Sequence, residues 1–169
     1  MLQAPQAAVL GAEKTLIPDM ISPHSDTGEN MIILAVDYGD VRTGLAVCDK
    51  SEFLASPVCV ITERNPDKVL LQVRDKAVEL KAEEIAVGLP KNMDGTEGFR
   101  AQACREFAEK LAEITGIRTV LRDERLTTVS AHKFLNMADV RGNKRKNTVD
   151  AVAAVIILED YIAFRKNNK

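Results

Sequence analysis

MIILAVDYGDVRTGLAVCDK, residues 31–50, holds two short apolar runs separated by a glycine-bearing break. Ile32 to Val36 is apolar and rich in β-branched residues, the pattern of a strand buried on both faces, and it stops at Asp37-Tyr38-Gly39-Asp40. Gly44 to Cys48 repeats the pattern, so the two runs are expected to pair as a β-hairpin with a loop somewhat longer than the tightest type. Gly39 is expected to supply the positive φ of that turn. The carboxylate of Asp37 then stands at the end of the first strand. Asp is a good turn former, because its side chain bonds to nearby backbone N–H groups. A carboxylate fixed on a rigid strand end is equally suited to a hard divalent cation. Further acids are needed to decide between the two.

Downstream, Pro57 to Thr62 reads as a third strand with Pro57 at its first position. Three successive strands imply an antiparallel meander. Leu70, Val73, Ala77 and Leu80 recur at helical spacing after the start signal Asn65-Pro66-Asp67. Ile85 to Leu89 is a short buried strand, and Ala103, Phe107, Leu111 and Ile114 mark a second helix closed by Gly116. Thr119 to Leu121 forms the fifth strand and runs into Arg122-Asp123-Glu124-Arg125. A helix is expected over 127–138, then a basic loop, then a last helix over 149–164 that is apolar nearly all round and therefore buried against the sheet. Strands alternating with helices require parallel pairing after the meander. The expected fold is α/β, a five-stranded mixed sheet with helices on both faces.

The 169 residues bound one domain with a sizeable core; 46% are hydrophobic and 28% charged, as in ordinary globular proteins. With a net charge of −2, a nucleic-acid partner would have to be met by a local basic patch. Three cysteines without a CxxC pair point to a reducing, cytoplasmic setting and to packing roles, not to a disulfide frame or zinc site. No apolar run approaches the ~18 residues of a membrane span. Residues 1–30 carry Pro5, Pro18 and Pro23, no sustained periodicity and no secretory signal, and read as a disordered extension. The folded domain is expected over 31–165, with a short tail over 166–169.

Two more acids stand out. Glu124 lies just past the fifth strand, in a run of alternating charge that could be no more than a solvated loop. Asp150, third after Asn147, could simply favour a helix start through the dipole. Its neighbours argue for more: Val149 precedes it and eight apolar residues follow it, and a carboxylate against a buried surface is costly unless paired or metal-bound.

Four blocks in this order, VDYGDVRTGLAV (36–47), VGLPKNMDGTEG (87–98), DERLTTVSA (123–131) and KNTVDAVAAVIILEDYI (146–162), resemble the YqgF/RuvX family of RNase H-like proteins. That family is described as pre-16S rRNA nucleases or Holliday junction resolvases. The resemblance spans Met31 to Phe164 and leaves the extension outside the family pattern. It implies an RNase H-like fold and places Asp37, Glu124 and Asp150 at the positions of the family's proposed catalytic acids, with Asp123 a competing choice for the second. Such a triad supports phosphodiester hydrolysis assisted by two Mg²⁺ or Mn²⁺ ions. Carboxylates suit these hard ions, and no His cluster suggests zinc.

Cationic residues complete the expected nucleic-acid contacts. The GLPKNMDGTEG loop lies between a strand and a helix start, where free N–H groups could receive a phosphate with Lys91 nearby, although a simple connecting turn explains it equally. Arg42 and Arg125 lie close in sequence to acids, and either contact phosphate or balance charge. Lys144, Arg145 and Lys146 fall in a loop leading to Asp150, expected to be mobile and to grip a phosphate backbone. His132 reads as structural. The function expected from the resemblance is 5′-end processing of pre-16S rRNA in ribosome biogenesis, with junction resolution, which needs a dimer, as the alternative. The partner is accordingly an rRNA precursor or branched DNA, with no membrane, and the chain a monomer or a homodimer. Two other classes compete. An Asp-x-Gly hairpin also opens the actin and sugar-kinase ATPases, but 139 residues from Met31 leave no room for their second domain. A catalytically silent nucleic-acid-binding module is the other, against which retention of all three acids argues.

Overall fold

The computed structural model describes residues 30–124 and 143–168, with backbone alone for 143–150. Five strands, β1 (Ile33–Asp37), β2 (Arg42–Cys48), β3 (Ala55–Thr62), β4 (Glu84–Leu89) and β5 (Arg118–Asp123), form one sheet in the order β3-β2-β1-β4-β5. The β1–β2 and β2–β3 pairs are antiparallel, and the β1–β4 and β4–β5 pairs are parallel. The mixed sheet expected from the alternation of elements is therefore present. Its three described helices are α1 (Pro66–Glu79), α2 (Phe99–Thr115) and α3 (Asn143–Asn167). The helix expected over 127–138, the extension over 1–29 and Arg125 lie outside the described residues.

Each element follows from local chemistry. The Asn65 side chain accepts from the N–H groups of Asp67 and Lys68 at 3.0 and 3.2 Å, and Pro66 occupies the first helical position, where no N–H is missed. Gly116 ends α2 at φ 66°, its N–H donating to the Ala112 carbonyl. Two local expectations differ from the structure. Gly39 does not adopt a positive φ; it is required because a Cβ there would overlap the Arg42 carbonyl oxygen as the hairpin closes. Pro57 is the third residue of β3, not the first. It is tolerated because β3 is an edge strand and the β2–β3 register shifts at Leu45/Ala46, opposite it.

Alternation along the strands divides the core between two faces. Leu34, Val36, Leu45, Ile85 and Val87 meet α1 and α2 through Val69, Val73, Phe107 and Leu111. Ile33, Ala35, Ala46 and Ala86 meet α3 through Ala154, Ile157, Leu158 and Tyr161. Three alanines on that face keep side-chain bulk off the sheet, so α3 can lie close to it. At the end of the sheet where β4 begins, Arg165 of α3 is buried with Glu52 and Glu84, its Nη1 donating to Glu84 Oε2 at 2.9 Å and its Nη2 to Glu52 Oε1 at 3.2 Å. The Tyr161 hydroxyl donates to Glu84 at 2.8 Å, and the Met31 N–H donates to Glu52 at 3.0 Å. This cluster ties the domain's first residues, the β2–β3 turn and the last helix together.

The last helix begins earlier than its sequence pattern suggested. Asn147 reads as the start signal, yet α3 starts at Asn143, so Lys144, Arg145 and Lys146 belong to its first turn and not to a loop. Lys and Arg are good helix formers, and no Gly or Pro interrupts the run to Asn167. Asp150 consequently stands at the eighth helical position, beyond reach of the dipole at the helix start. All three cysteines are free. Among the described residues, no helix is long and apolar enough to cross a membrane.

Candidate active site

The carboxyl ends of β1, β4 and β5 lie side by side, because parallel pairing puts Val36 opposite Val87 and Leu89 opposite Asp123. Asp37 closes β1 on the face shared with Ile33 and Ala35, the face that α3 covers. Glu124 follows β5 directly and is held by its own N–H, which donates to the Leu89 carbonyl at 3.2 Å. Its side chain reaches back across β4. A Cβ on Gly88 would overlap Glu124 Oε1 and stand 2.7 Å from Ile157 Cδ1 of α3. The carboxylate of Glu124 thus occupies space over β4 that only a glycine leaves open, on the same face as Asp37.

The two acids act on one another electrostatically. The Glu124 pKa is pushed up to about 7, first by burial and then by the negative charge of Asp37; Arg100 opposes the shift and Asp123 adds to it. Cys104 on α2, buried behind the same strand ends, is pushed up to about 12 by burial and then by Glu124, with Asp37 and Asp40 contributing. These strand ends therefore carry a partly buried cluster of acids.

Asp150 is placed by the course of α3. Tyr161 bonds to Glu84 at the start of β4, and Ile157 lies over Gly88 near its end, so the helix runs antiparallel to that strand. Two further turns toward its start carry the backbone past the strand end. The backbone of Asp150 lies seven residues before Ile157 on α3, about 10 Å further along. The helix is thus aimed at the end of the sheet where Asp37 and Glu124 meet. Asp123, the competing acid, is the last residue of β5 and contributes charge toward Glu124.

Two of the expected phosphate contacts, Lys91 and the N–H groups of its loop, have partners within the chain. Lys91 pairs with Glu97 at 3.4 Å, and Arg105 grips the same carboxylate at 2.6 and 2.8 Å, holding Glu97 down to about 2. The loop does not present a row of free donors. The N–H groups of Asn92, Gly95 and Thr96 go to Thr96 O, Asn92 O and Asp94 Oδ1, because the loop closes on itself between Asn92 and Thr96. Arg42 opens β2, half-buried and opposite Thr62. Sequence reasoning missed Arg100, whose guanidinium stands 3.5 Å from Asp40 and acts on both Glu124 and Cys104. It also missed the need for glycine at position 88. The acid at 124 could have signalled both, since a buried carboxylate needs space and a counter-charge.

A family model described as "RuvX: Holliday junction resolvase" matches residues 31–163. The chain belongs to the RuvX family. Its curated relatives include a protein of Agathobacter rectalis, 36% identical over 142 residues that cover 82% of this chain and 99% of that one. Another, of Halothermothrix orenii, is 41% identical over 135 residues, covering 80% and 96%. Both carry the name "Putative pre-16S rRNA nuclease". Among solved structures, Thermus thermophilus RuvC in complex with a Holliday junction substrate superposes with a TM-score of 0.56 over 81% of this chain and 96% of that one, at 13% identity. The RuvX chain accordingly has the RNase H-like fold that its sequence blocks imply.

Proposed function

We propose that this RuvX protein is a metal-dependent nuclease that hydrolyses phosphodiester bonds, acting on the 5′ end of pre-16S rRNA in the cytoplasm during ribosome biogenesis. The observation that supports the reading is the buried Glu124 carboxyl over Gly88, sensing the charge of Asp37 at the sheet's end, toward which the helix bearing Asp150 is directed. A buried carboxyl pushed up to about 7, first by burial and then by the charge of Asp37 beside it, is suited to a divalent cation, which offsets both costs. The donors are hard oxygens, so Mg²⁺ or Mn²⁺ fits them and zinc does not. Asp37, Glu124 and Asp150 would hold the ions, which when bound neutralise charge developing on the attacking and departing oxygens. The chain's own contribution is placement. β1 and β5 fix two carboxylates on rigid strand ends, Gly88 clears the space for one of them, and Arg100 offers a cation at the rim.

The names of the relatives support the rRNA precursor as substrate, and the family description supports a second reading, resolution of four-way DNA junctions. Two cuts across a junction require two sites and hence a dimer, whereas one end-processing cut needs a monomer only. Cleavage of an rRNA precursor, a four-way junction and a plain duplex, each with Mg²⁺ or Mn²⁺, separates these readings. No cleavage of any of them despite tight binding would indicate the silent binding module instead. Asp37→Asn, Glu124→Gln and Asp150→Asn are each expected to remove most of the activity while the circular dichroism spectrum is kept. If Glu124→Gln cleaves normally and Asp123→Asn does not, the second acid is Asp123.

A further inference from the structure

The segment that joins β4 to α2 and the first residue of α2 each leave a large apolar side chain in water. Met93 is 87% exposed and Phe99 89%, although burying such a side chain stabilises a protein by ~1.5–3 kcal/mol. The segment is well anchored. Asn92 and Thr96 close its turn through a backbone bond of 2.9 Å and a side-chain bond of 2.8 Å, and Glu97 fastens it to α2 through Arg105. Met93 and Phe99 are thus held out on a fixed frame. Its start and end both adjoin the site. Leu89 receives the N–H of Glu124, and Arg100, directly after Phe99, reaches Asp40 and acts on the charge of Glu124. A Cβ on Gly98 would meet nothing within 4 Å, so the residue directly before Phe99 is uncrowded as well.

We propose that Phe99, assisted by Met93, is a stacking platform for an unpaired nucleobase beside the strand ends that carry Asp37 and Glu124, with Arg100 facing the adjoining backbone. The proposal rests on the nuclease reading. An aromatic face joined to a cation is what binds single strands, the ring taking any base and the charge following the phosphates. The Arg100–Asp40 pair is long and exposed, so it contributes little and can be exchanged for a phosphate. Every base has a π-face, so the platform selects unpaired or branched segments and not a base sequence.

The test measures binding without cleavage, in EDTA, by fluorescence anisotropy of a single strand, a four-way junction and a perfect duplex. A 2-aminopurine scan along the single strand reports stacking. Phe99→Ala should weaken single-strand binding about tenfold or more, abolish the 2-aminopurine quenching and leave duplex binding unchanged, while Phe99→Trp restores both signals. The melting temperature should not move, since the ring is exposed. Equal single-strand affinity of Phe99→Ala and wild type, with wild type still cleaving nucleic acid in Mg²⁺, overturns the platform alone. Absence of both binding and cleavage in wild type overturns the platform and the nuclease reading together. A change from dimer to monomer in Phe99→Ala, with single-strand affinity kept, overturns it in favour of contact with a second copy.

Discussion

Substituting Gly88 by alanine tests the geometry of the acidic cluster without touching a charge. The added methyl would overlap Glu124 Oε1, lie 2.9 Å from Glu124 Cδ and lie 2.7 Å from Ile157 Cδ1. Both obstructing groups are ends of flexible side chains, so the backbone need not move. Gly88 is not in the left-handed region, and alanine in a strand gains about 0.5–1 kcal/mol over glycine. Overpacking costs about 1–3 kcal/mol, which leaves a net loss of about 0–2.5 kcal/mol. A melting temperature lower by a few degrees is the expected consequence for a chain of this size. Activity should respond far more. The carboxylate must retreat by roughly 1 Å or more, and misplacement of that order costs about 100-fold in rate. Turnover of the precursor at saturating Mg²⁺, measured beside thermal melting, checks both halves. Glu124→Asp withdraws the carboxylate by one methylene, so the double variant should lose less than the two single losses combined. Wild-type turnover in Gly88→Ala, or strictly additive losses in the double variant, would refute the placement of Glu124 over β4.

Three further outcomes follow from the same structure. The folded-state pKa of Glu124, about 7, lies above its ordinary 4.5, so the folded protein holds a proton that the unfolded chain releases. Metal-free protein should therefore be most stable below about pH 4.5 as far as this group is concerned, and should lose up to a few kcal/mol as pH rises through about 7. Melting curves in EDTA from pH 5 to 8 should show that slope in wild type and not in Glu124→Gln; identical profiles would contradict the assigned burial. Arg165→Met leaves Glu52 and Glu84 buried with less compensation, a loss of about 3–5 kcal/mol, visible as a fall in denaturation midpoint with turnover per folded molecule kept. Replacing Lys144, Arg145 and Lys146 by Ala should weaken binding alike for all sequences and reduce the salt slope by ~0.7 per lost contact on single strands and ~0.9 on duplex. Parallel salt titrations of mutant and wild type would show that these residues do not meet the nucleic acid.

What could be read from the sequence, and what could not, divides along the range of the forces involved. The strands and helices announce themselves because burial on a sheet face or helix stripe leaves a period in the chain, as in Ile33 to Val36 or Val69, Val73 and Ala77. Capping by Asn65 and Gly116 is equally local. The start of α3 was misjudged because Asn147 resembles a cap, whereas Lys and Arg carry no boundary of their own. Lys91 looked available because its partner, Glu97, is brought back only when the loop closes and Arg105 on α2 fixes it. The site itself is the extreme case. Asp37 and Glu124 are 87 residues apart in the chain, and each alone is an ordinary turn acid. Only the two parallel pairings through β4 set their strand ends side by side. Between them the middle strand must then contribute nothing at all at the crossing point. Gly88 does so, and its role is invisible until the carboxylate that fills its missing side chain has been placed.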